Sequence, residues 1–346
     1  MTPSLDIVAA GMATAVGLDR ASSCAAMRGR LDGFQETRFV AGSGEWQIGA
    51  PVPLPRNWIG AKRLAHLVAG AIVEVLRAEP RAAEDAALLL CLAEEDRPGR
   101  LPTDGHAFAA MVAEIVEAQS SQRTVLVAHG RPAGFAALDR ARKILAEGDA
   151  RYVIIAGVDS YLTGPAIAHY LGRERLLGPD NPNGFIPGEA AAAVLCTAEP
   201  VGRLVLTGLG LSREKAHIYN GLDEDGLDLP LRGDGMTAAY KAALDAAGVE
   251  LSGVEYRIAD LIGEQYFFKQ TALASLRLER GRKEFQDLWS PGESLGNIGA
   301  ATVPVMIGMA LSAAEKGYTP GSPVLIEASS DAGACGAAVF HTREAA

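Results

Sequence analysis

The sequence is poor in the features that mark secreted or membrane proteins. Its four cysteines, Cys24, Cys91, Cys196 and Cys335, lie far apart and form no CxxC pair. Such isolated cysteines indicate free thiols in a reducing compartment and argue against a disulfide framework or a zinc site. The start of the chain, MTPSLDIVAAGMATAVGLD, lacks the basic region of a signal peptide, and no apolar run has the length of a membrane span. We therefore expect a cytoplasmic protein without membrane insertion.

An excess of positive charge is also absent. The chain has 32 Lys and Arg against 42 Asp and Glu, a formal net charge of −10. This balance disfavours nucleic acid or an anionic membrane as the main partner. The sequence contains no GxGxxG, Walker or HExxH motif, so it gives no support for a cofactor or a metal. Apolar residues, in contrast, make up 49% of the 346 residues, which is enough for a large core.

Short apolar runs alternate with longer segments rich in Ala and Leu, and this alternation predicts a layered α/β fold. Several runs are apolar on both faces, as buried strands are. The predicted strands cover residues 5–11, 86–93, 124–130, 152–159, 190–196, 203–211, 254–263, 323–329 and 336–342. The predicted helices cover residues 63–78, 135–148, 236–248 and 303–317, and surface loops are expected at residues 94–107 and 173–187.

The chain also contains a weak internal repeat. Residues 130–160 and residues 296–331 both read as a turn, a helix, a strand and a loop of small residues. Such self-similarity is the mark of a duplicated unit. We therefore predict two similar halves, residues 1–200 and 201–346, whose sheets share a layer of helices.

One turn stands out for what it does not contain. In VLVAHGRPAGFAALDRARKIL, residues 125–145, an apolar strand passes through a Gly- and Pro-bearing turn into a helix. The helix dipole would stabilise the anionic form of a nucleophile at such a turn. The turn offers Arg131 and Pro132 instead, and a guanidinium stays protonated and cannot act as a nucleophile. Beside a helix N-terminus it would suit a bound carboxylate or phosphate; the alternatives are that it fills a cavity or points to solvent.

Five segments together resemble the thiolase-like superfamily, and within it the 3-oxoacyl-ACP synthase (ketosynthase) branch. In chain order these segments are IVAAGMATAVGLDRASSCAAMRGRLDGF, YVIIAGVDS, NGFIPGEAAAAVLC, SLGNIGAAT and SSDAGACGAAVF. The resemblance covers nearly the whole chain. It implies a five-layered αβαβα duplication, in agreement with the internal repeat. It also implies a homodimer formed through the strand nearest the nucleophile turn.

The same resemblance indicates that the catalytic residues are lost. Arg131 stands where the family has its Cys nucleophile, and Asp260 or Leu261 stands where it has its first His. Asn297 stands at the second His position, where some branches of the superfamily also have Asn. Active members use the thiolate and the two His, or a His and an Asn, for condensation. We therefore expect a catalytically inactive protein that acts by binding a protein partner.

Two further residues of the resembling segments need a role. Cys335 lies in the closing loop that lines the pocket in the family, so it is a candidate for a displaced nucleophile, although a small buried Cys is the commoner case. A condensing enzyme or acyltransferase that uses Cys335 is thus one alternative. Glu189 matches a Glu that is structural in the family, and we expect the same role here.

The resemblance leaves the partner open. The GMATAVGL and GFIPGEAAAA segments are similar to stand-alone thiolase-like proteins encoded with type VI secretion effectors and their adaptors. This implies a role as an accessory or adaptor in effector handling. The alternative is a non-catalytic subunit that pairs with an active ketosynthase, as chain-length factors do.

Overall fold

The computed structural model describes residues 5–41, 44–55, 57–117, 124–219, 227–281 and 285–343. Residues 1–4, which begin the N-terminal segment considered above, lie outside this range. Within the described residues, no helix combines the length and the apolar character that crossing a membrane requires.

The described strands agree with the apolar runs of the sequence and add three short ones. They are β1 (Leu5–Ala13), β2 (Gln35–Val40), β3 (Trp46–Gly49), β4 (Ala86–Leu92), β5 (Thr124–Ala128), β6 (Tyr152–Ser160), β7 (Glu189–Thr197), β8 (Leu204–Arg213), β9 (Tyr256–Ala259), β10 (Asp287–Trp289), β11 (Val324–Ser329) and β12 (Ala334–Thr342). The prediction of a strand over residues 254–263 was too long, because the chain leaves the sheet after Ala259. Asp260 therefore lies in a loop at the carboxyl end of β9.

The helices include all four that were predicted. They are α1 (Arg20–Arg28), α2 (Gly60–Ala78), α3 (Gly105–Val116), α4 (Ala133–Glu147), α5 (Gly164–Gly172), α6 (Asp234–Ala247), α7 (Gln265–Leu278), α8 (Gly292–Leu295) and α9 (Thr302–Lys316). The prediction that residues 94–107 form a loop was wrong at its end, where α3 begins. The Asp104 side chain accepts hydrogen bonds from the backbone N–H groups of His106 and Ala107 and so caps that helix.

The strand order repeats itself in the two halves of the chain. Ten strands form one sheet in the order β10-β9-β11-β12-β8-β1-β7-β6-β4-β5. In the first half β4 pairs in parallel with β5 and β6, whereas β7 is antiparallel to β6 and β1. In the second half β9, β10, β11, β12 and β8 pair in the same pattern. The predicted duplication is therefore confirmed in the topology.

Helices form three layers around the two halves of the sheet. The central helices α4 and α9 contact strands of both halves, α2 packs on the first half, and α6 packs on the second. The largest apolar cluster surrounds α4 and α9, and two smaller clusters lie under the outer helices. The predicted five-layered αβαβα fold is thus confirmed. The assignment of residues 1–200 and 201–346 as two domains stays a prediction, because both halves share this central core.

Gly157 on β6 offers a test of this close packing. A Cβ at this position would lie 2.2 Å from the carbonyl oxygen of Ala300, which belongs to the turn before α9. Gly157→Ala therefore forces a backbone shift, and we expect a loss of about 1–3 kcal/mol in the free energy of unfolding by denaturant titration. The control is Gly70→Ala in α2, where a Cβ meets open space. It should be neutral or stabilise by up to about 1 kcal/mol, and an equal loss in both variants would contradict the packing.

Candidate functional site

The turn between β5 and α4 is held in place by its glycine. Gly130 has a φ of +60°, a conformation that favours glycine, and a Cβ there would lie 2.1 Å from the Glu94 carboxyl group. Its N–H donates to the carbonyl of Leu92 at the end of β4. Arg131 follows directly, and Pro132 is the N-cap residue of α4. The backbone therefore fixes the Arg131 side chain at the start of a buried helix.

The Arg131 side chain is buried and paired with the chain's own carboxylates. It is 2% exposed. Its Nη1 lies 3.1 Å from Oδ2 of Asp260, and its Nη2 donates to Oδ1 of Asp331 at 3.1 Å. The guanidinium also lies over the Phe267 ring, with Cζ 4.0 Å from the ring centroid. The Arg131 side chain therefore occupies the space at the start of α4, and carboxylates of this chain already balance its charge.

A second arginine extends the cluster. Nε and Nη2 of Arg175 donate to the two carboxylate oxygens of Glu264, each at 2.7 Å. Its Nη1 donates to Oδ2 of Asp331 at 2.6 Å and to the Tyr219 hydroxyl at 2.7 Å. Asp331 thus bridges the two arginines. Both arginines come from the first half of the chain, whereas the three carboxylates come from the second.

The protonation of the three carboxylates differs with their surroundings. Burial raises the pKa of Asp260 to about 6, although the charge of Arg131 opposes the rise. Burial likewise raises the pKa of Glu264 against the effect of Arg175. For Asp331 burial acts in the same direction, but Arg175 and Arg131 together hold its pKa below the usual value. The bridging carboxylate is therefore the one most firmly held in its charged form.

Another buried ion pair lies at the carboxyl end of β6. Nη1 and Nη2 of Arg97 donate to Asp159 at 2.9 and 2.6 Å, and Cζ of Arg97 lies 4.2 Å from the centroid of the Tyr161 ring. Asp159 also accepts from the N–H of Ala300 at 3.1 Å. This pair ties β6 to the turn before α9.

Asn297 lies in that turn region and makes local contacts. It is buried, and its Oδ1 accepts from the N–H of Gly299 at 3.1 Å. Its backbone bonds to Ile186 and Gly188 join the turn to the segment before β7. Of the three positions at which the resemblance predicts lost catalytic residues, the structure thus brings Arg131 and Asp260 into contact, while the Asn297 side chain bonds within its own loop. Leu261, the alternative to Asp260, packs into an apolar cluster.

Cys335 lies on β12 within the apolar cluster beneath α6. It is buried, its Sγ contacts the Gly333 carbonyl at 3.4 Å and Nε2 of Gln270 at 3.7 Å, and burial raises the pKa of its thiol to about 12. His341, its nearest histidine in sequence, contacts Thr207 instead. A thiol with this pKa is protonated at neutral pH and is a poor nucleophile.

Glu189 is held by four partners, which fits the structural role expected for it. Its carboxylate accepts from the Arg63 side chain, from the backbone N–H of Val52 at 2.9 Å and from the Ser160 hydroxyl at 3.1 Å. Glu189 is also the first residue of β7, and its backbone N–H donates to the carbonyl of Ala50, the fourth partner. These contacts fix the loop before α2 against the sheet.

The sequence did not single out three members of the arginine cluster, namely Arg175, Glu264 and Asp331. Asp331 follows β11 and Glu264 comes shortly after β9, and these neighbouring strands are parallel. A charged residue just after an apolar strand is a signal that sequence reasoning can use. Arg175 carried no such signal, because it lies in a long loop whose path only the tertiary structure shows. Among the described residues, no group of three or more His, Cys, Asp or Glu is arranged to hold a metal ion.

Comparison with solved structures shows a ketosynthase fold. The ketosynthase ApeO in complex with its chain length factor ApeC from Xenorhabdus doucetiae matches with a TM-score of 0.77 and 14% identity over 99% of this chain and 98% of that chain. The ishigamide ketosynthase/chain length factor matches with a TM-score of 0.78 and 17% identity over 99% and 100%.

A β-ketoacyl synthase from Burkholderia phymatum matches with a TM-score of 0.74 and 13% identity over 99% of this chain and 100% of that chain. No family model matches the sequence, and no curated protein matches it either. At these low identities the similarity establishes the thiolase-like ketosynthase fold. It does not establish an activity, which has to be inferred from the residues of this chain.

Arg131→Ala tests whether the guanidinium is built into the fold. At pH 8 the variant leaves Asp260 and Asp331 without this partner in a buried site, so we expect a loss of about 3–5 kcal/mol in the free energy of unfolding. The loss should be smaller at pH 5, below the pKa of about 6 of Asp260, because that carboxyl group is then protonated. Denaturant titrations at both pH values measure the difference.

The control is Arg140→Ala on the exposed face of the same helix, which should change the stability by less than about 0.5 kcal/mol. Equal stability of Arg131→Ala and the control at pH 8 would contradict the buried ion pairs.

Proposed function

We propose that this chain is a catalytically inactive protein of ketosynthase fold that acts by binding another protein. The observation that carries the proposal is the buried Arg131 at the turn into α4, where the resemblance implies a nucleophile in active members. Its guanidinium is paired with Asp260 and Asp331, so the turn holds an internally paired ion cluster where condensation would need a free thiolate.

The cysteines elsewhere support the same proposal. All four are buried and free of disulfide bonds. Burial raises the thiol pKa of Cys24 to about 11 and those of Cys91 and Cys335 to about 12, and it raises the pKa of Cys196 as well. A nucleophilic cysteine has the opposite character, with partial exposure and a lowered pKa.

An edge of the sheet supports an assembly. β5 is the last strand at one end of the sheet and pairs only with β4 among the described strands. Its residues Val125 and Leu126 are apolar and half-buried. An apolar edge strand invites pairing with another chain, and this strand precedes the Arg131 turn. We propose that the chain dimerises through β5, with a second copy or with a related subunit.

Two classes of partner fit this proposal. Two of the similar solved structures contain a ketosynthase together with a chain length factor, which favours an active ketosynthase as the partner. The resemblance of the GMATAVGL and GFIPGEAAAA segments favours instead a type VI secretion effector or its adaptor. With either class of partner, we propose that the protein acts in the cytoplasm.

Acyl transfer to the protein tests inactivity. We expect intact-mass spectrometry to find no stable adduct on the wild type or on Cys335→Ala after incubation with a panel of acyl-CoA and acyl-carrier donors, because none of the four thiols is poised to attack. An active ketosynthase in the same panel is the positive control. An adduct on the wild type that is absent from Cys335→Ala would overturn the proposal and favour an acyltransferase that uses this cysteine.

Light scattering coupled to size exclusion tests the assembly. We expect the wild type to elute at twice the chain mass, and Thr124→Lys on β5 to shift it toward the monomer, because lysine on an edge strand opposes pairing. Gln35→Lys on the exposed face of β2 is the control with the same added charge and should not change the mass. A monomeric wild type would exclude the homodimer, and co-expression with a ketosynthase would then decide on the heterodimer.

A further inference from the structure

A crevice lies at the carboxyl ends of β4 and β6, and none of its lining residues belongs to the Arg131 cluster. These two strands are neighbours and parallel. The chain leaves β4 toward β5 on one side and leaves β6 toward β7 on the other. Where two connections part in this way, a crevice opens beyond the carboxyl ends of the strands, and α/β proteins bind ligands there.

The crevice forms an open pocket of about 570 Å³. This volume falls within the roughly 300–1,000 Å³ of small-molecule sites. The loop after β4 and the start of α5 supply its walls: Glu95, Arg97, Gly99, Arg100, Leu101, Thr103, Thr163 and Pro165. The Thr163 hydroxyl donates to the Gly99 carbonyl at 3.1 Å, and this hydrogen bond joins the two walls.

The two arginines of the pocket differ in their pairing. Arg97 is committed to Asp159 through two hydrogen bonds and lies over the Tyr161 ring. The side chain of Arg100 forms no ion pair and no hydrogen bond with any residue that the structure describes, whereas the Nε atoms of both arginines are buried without a hydrogen-bond partner. The charge of the Arg100 guanidinium at the pocket wall therefore has no counter-ion among the described residues, and an anion in the pocket would supply one.

Other features of the pocket also favour an anion. α5 begins at its wall, so the positive end of the helix dipole lies there. Thr103 adds an exposed hydroxyl group, and Leu101 and Pro165 add apolar surface. The exposed carboxylate of Glu95 also borders the pocket, which disfavours a ligand with several negative charges.

We propose that this pocket binds a small molecule through a single carboxylate or phosphate group held by Arg100, with its apolar part against Leu101 and Pro165. The guanidinium would meet the anion with two parallel N–H groups. The site does not depend on the proposed function, because none of its residues belongs to the Arg131 cluster or to β5.

Isothermal titration calorimetry at low ionic strength tests the proposal with inorganic phosphate and with succinate as separate probes. We expect saturable binding of at least one probe to the wild type and about tenfold weaker binding to Arg100→Ala, since a hydrogen bond to a charged group is lost. Arg140→Ala on α4 removes an equally charged side chain far along the chain and should bind as the wild type does. Thermal unfolding of all three proteins verifies that each is folded.

The two probes separate the sources of the anion. Binding of phosphate alone assigns a phosphorylated ligand, and binding of succinate alone assigns a carboxylate. Equal affinity of Arg100→Ala and the wild type would overturn the proposal, as would the absence of saturable binding for both probes. Sodium chloride at matched ionic strength should give no saturable heat, and saturation with chloride would overturn the proposal in favour of nonspecific anion binding.

Discussion

The buried guanidinium of Arg131 is the constraint on which the centre of this molecule depends. An arginine cannot lose its proton in a protein, so burial obliges the fold to supply negative charge beside it. Asp260 and Asp331 meet that need, and Asp331 in turn binds Arg175, which is bound by Glu264. One side chain at a helix start thereby accounts for the arrangement of four others.

The duplicated topology explains how these groups reach one another. Arg131 and Arg175 belong to the first half of the chain, whereas Asp260, Glu264 and Asp331 follow strands of the second half. The central helices α4 and α9 lie between the two halves of the sheet, so the loops at the strand ends face each other across them. Opposite charges on the two sides attract each other and hold these loops together.

The molecule thus separates two kinds of polar site. In the Arg131 cluster every charge has a partner within the chain. The crevice beside Arg97 and Arg100 has the reverse character, because it is open and one of its cations has no partner among the described residues. The two proposed binding events, of a partner at the β5 edge and of a small anion in the crevice, would both take place outside the Arg131 cluster.

The sequence alone determined the α/β fold, its duplication and the absence of a nucleophile at the turn before α4. Apolar runs report buried strands because burial on both faces leaves no room for polar side chains, and Arg131 could be read directly. Only the tertiary structure decided what Arg131 does. Its partners lie 129 and 200 residues further along the chain, and Arg175 sits in a loop without a regular pattern. The periodicity of apolar residues indicates which side of a helix or strand is buried. Contacts between loops depend instead on how the two halves of the chain pack against each other, and the local sequence does not encode that packing.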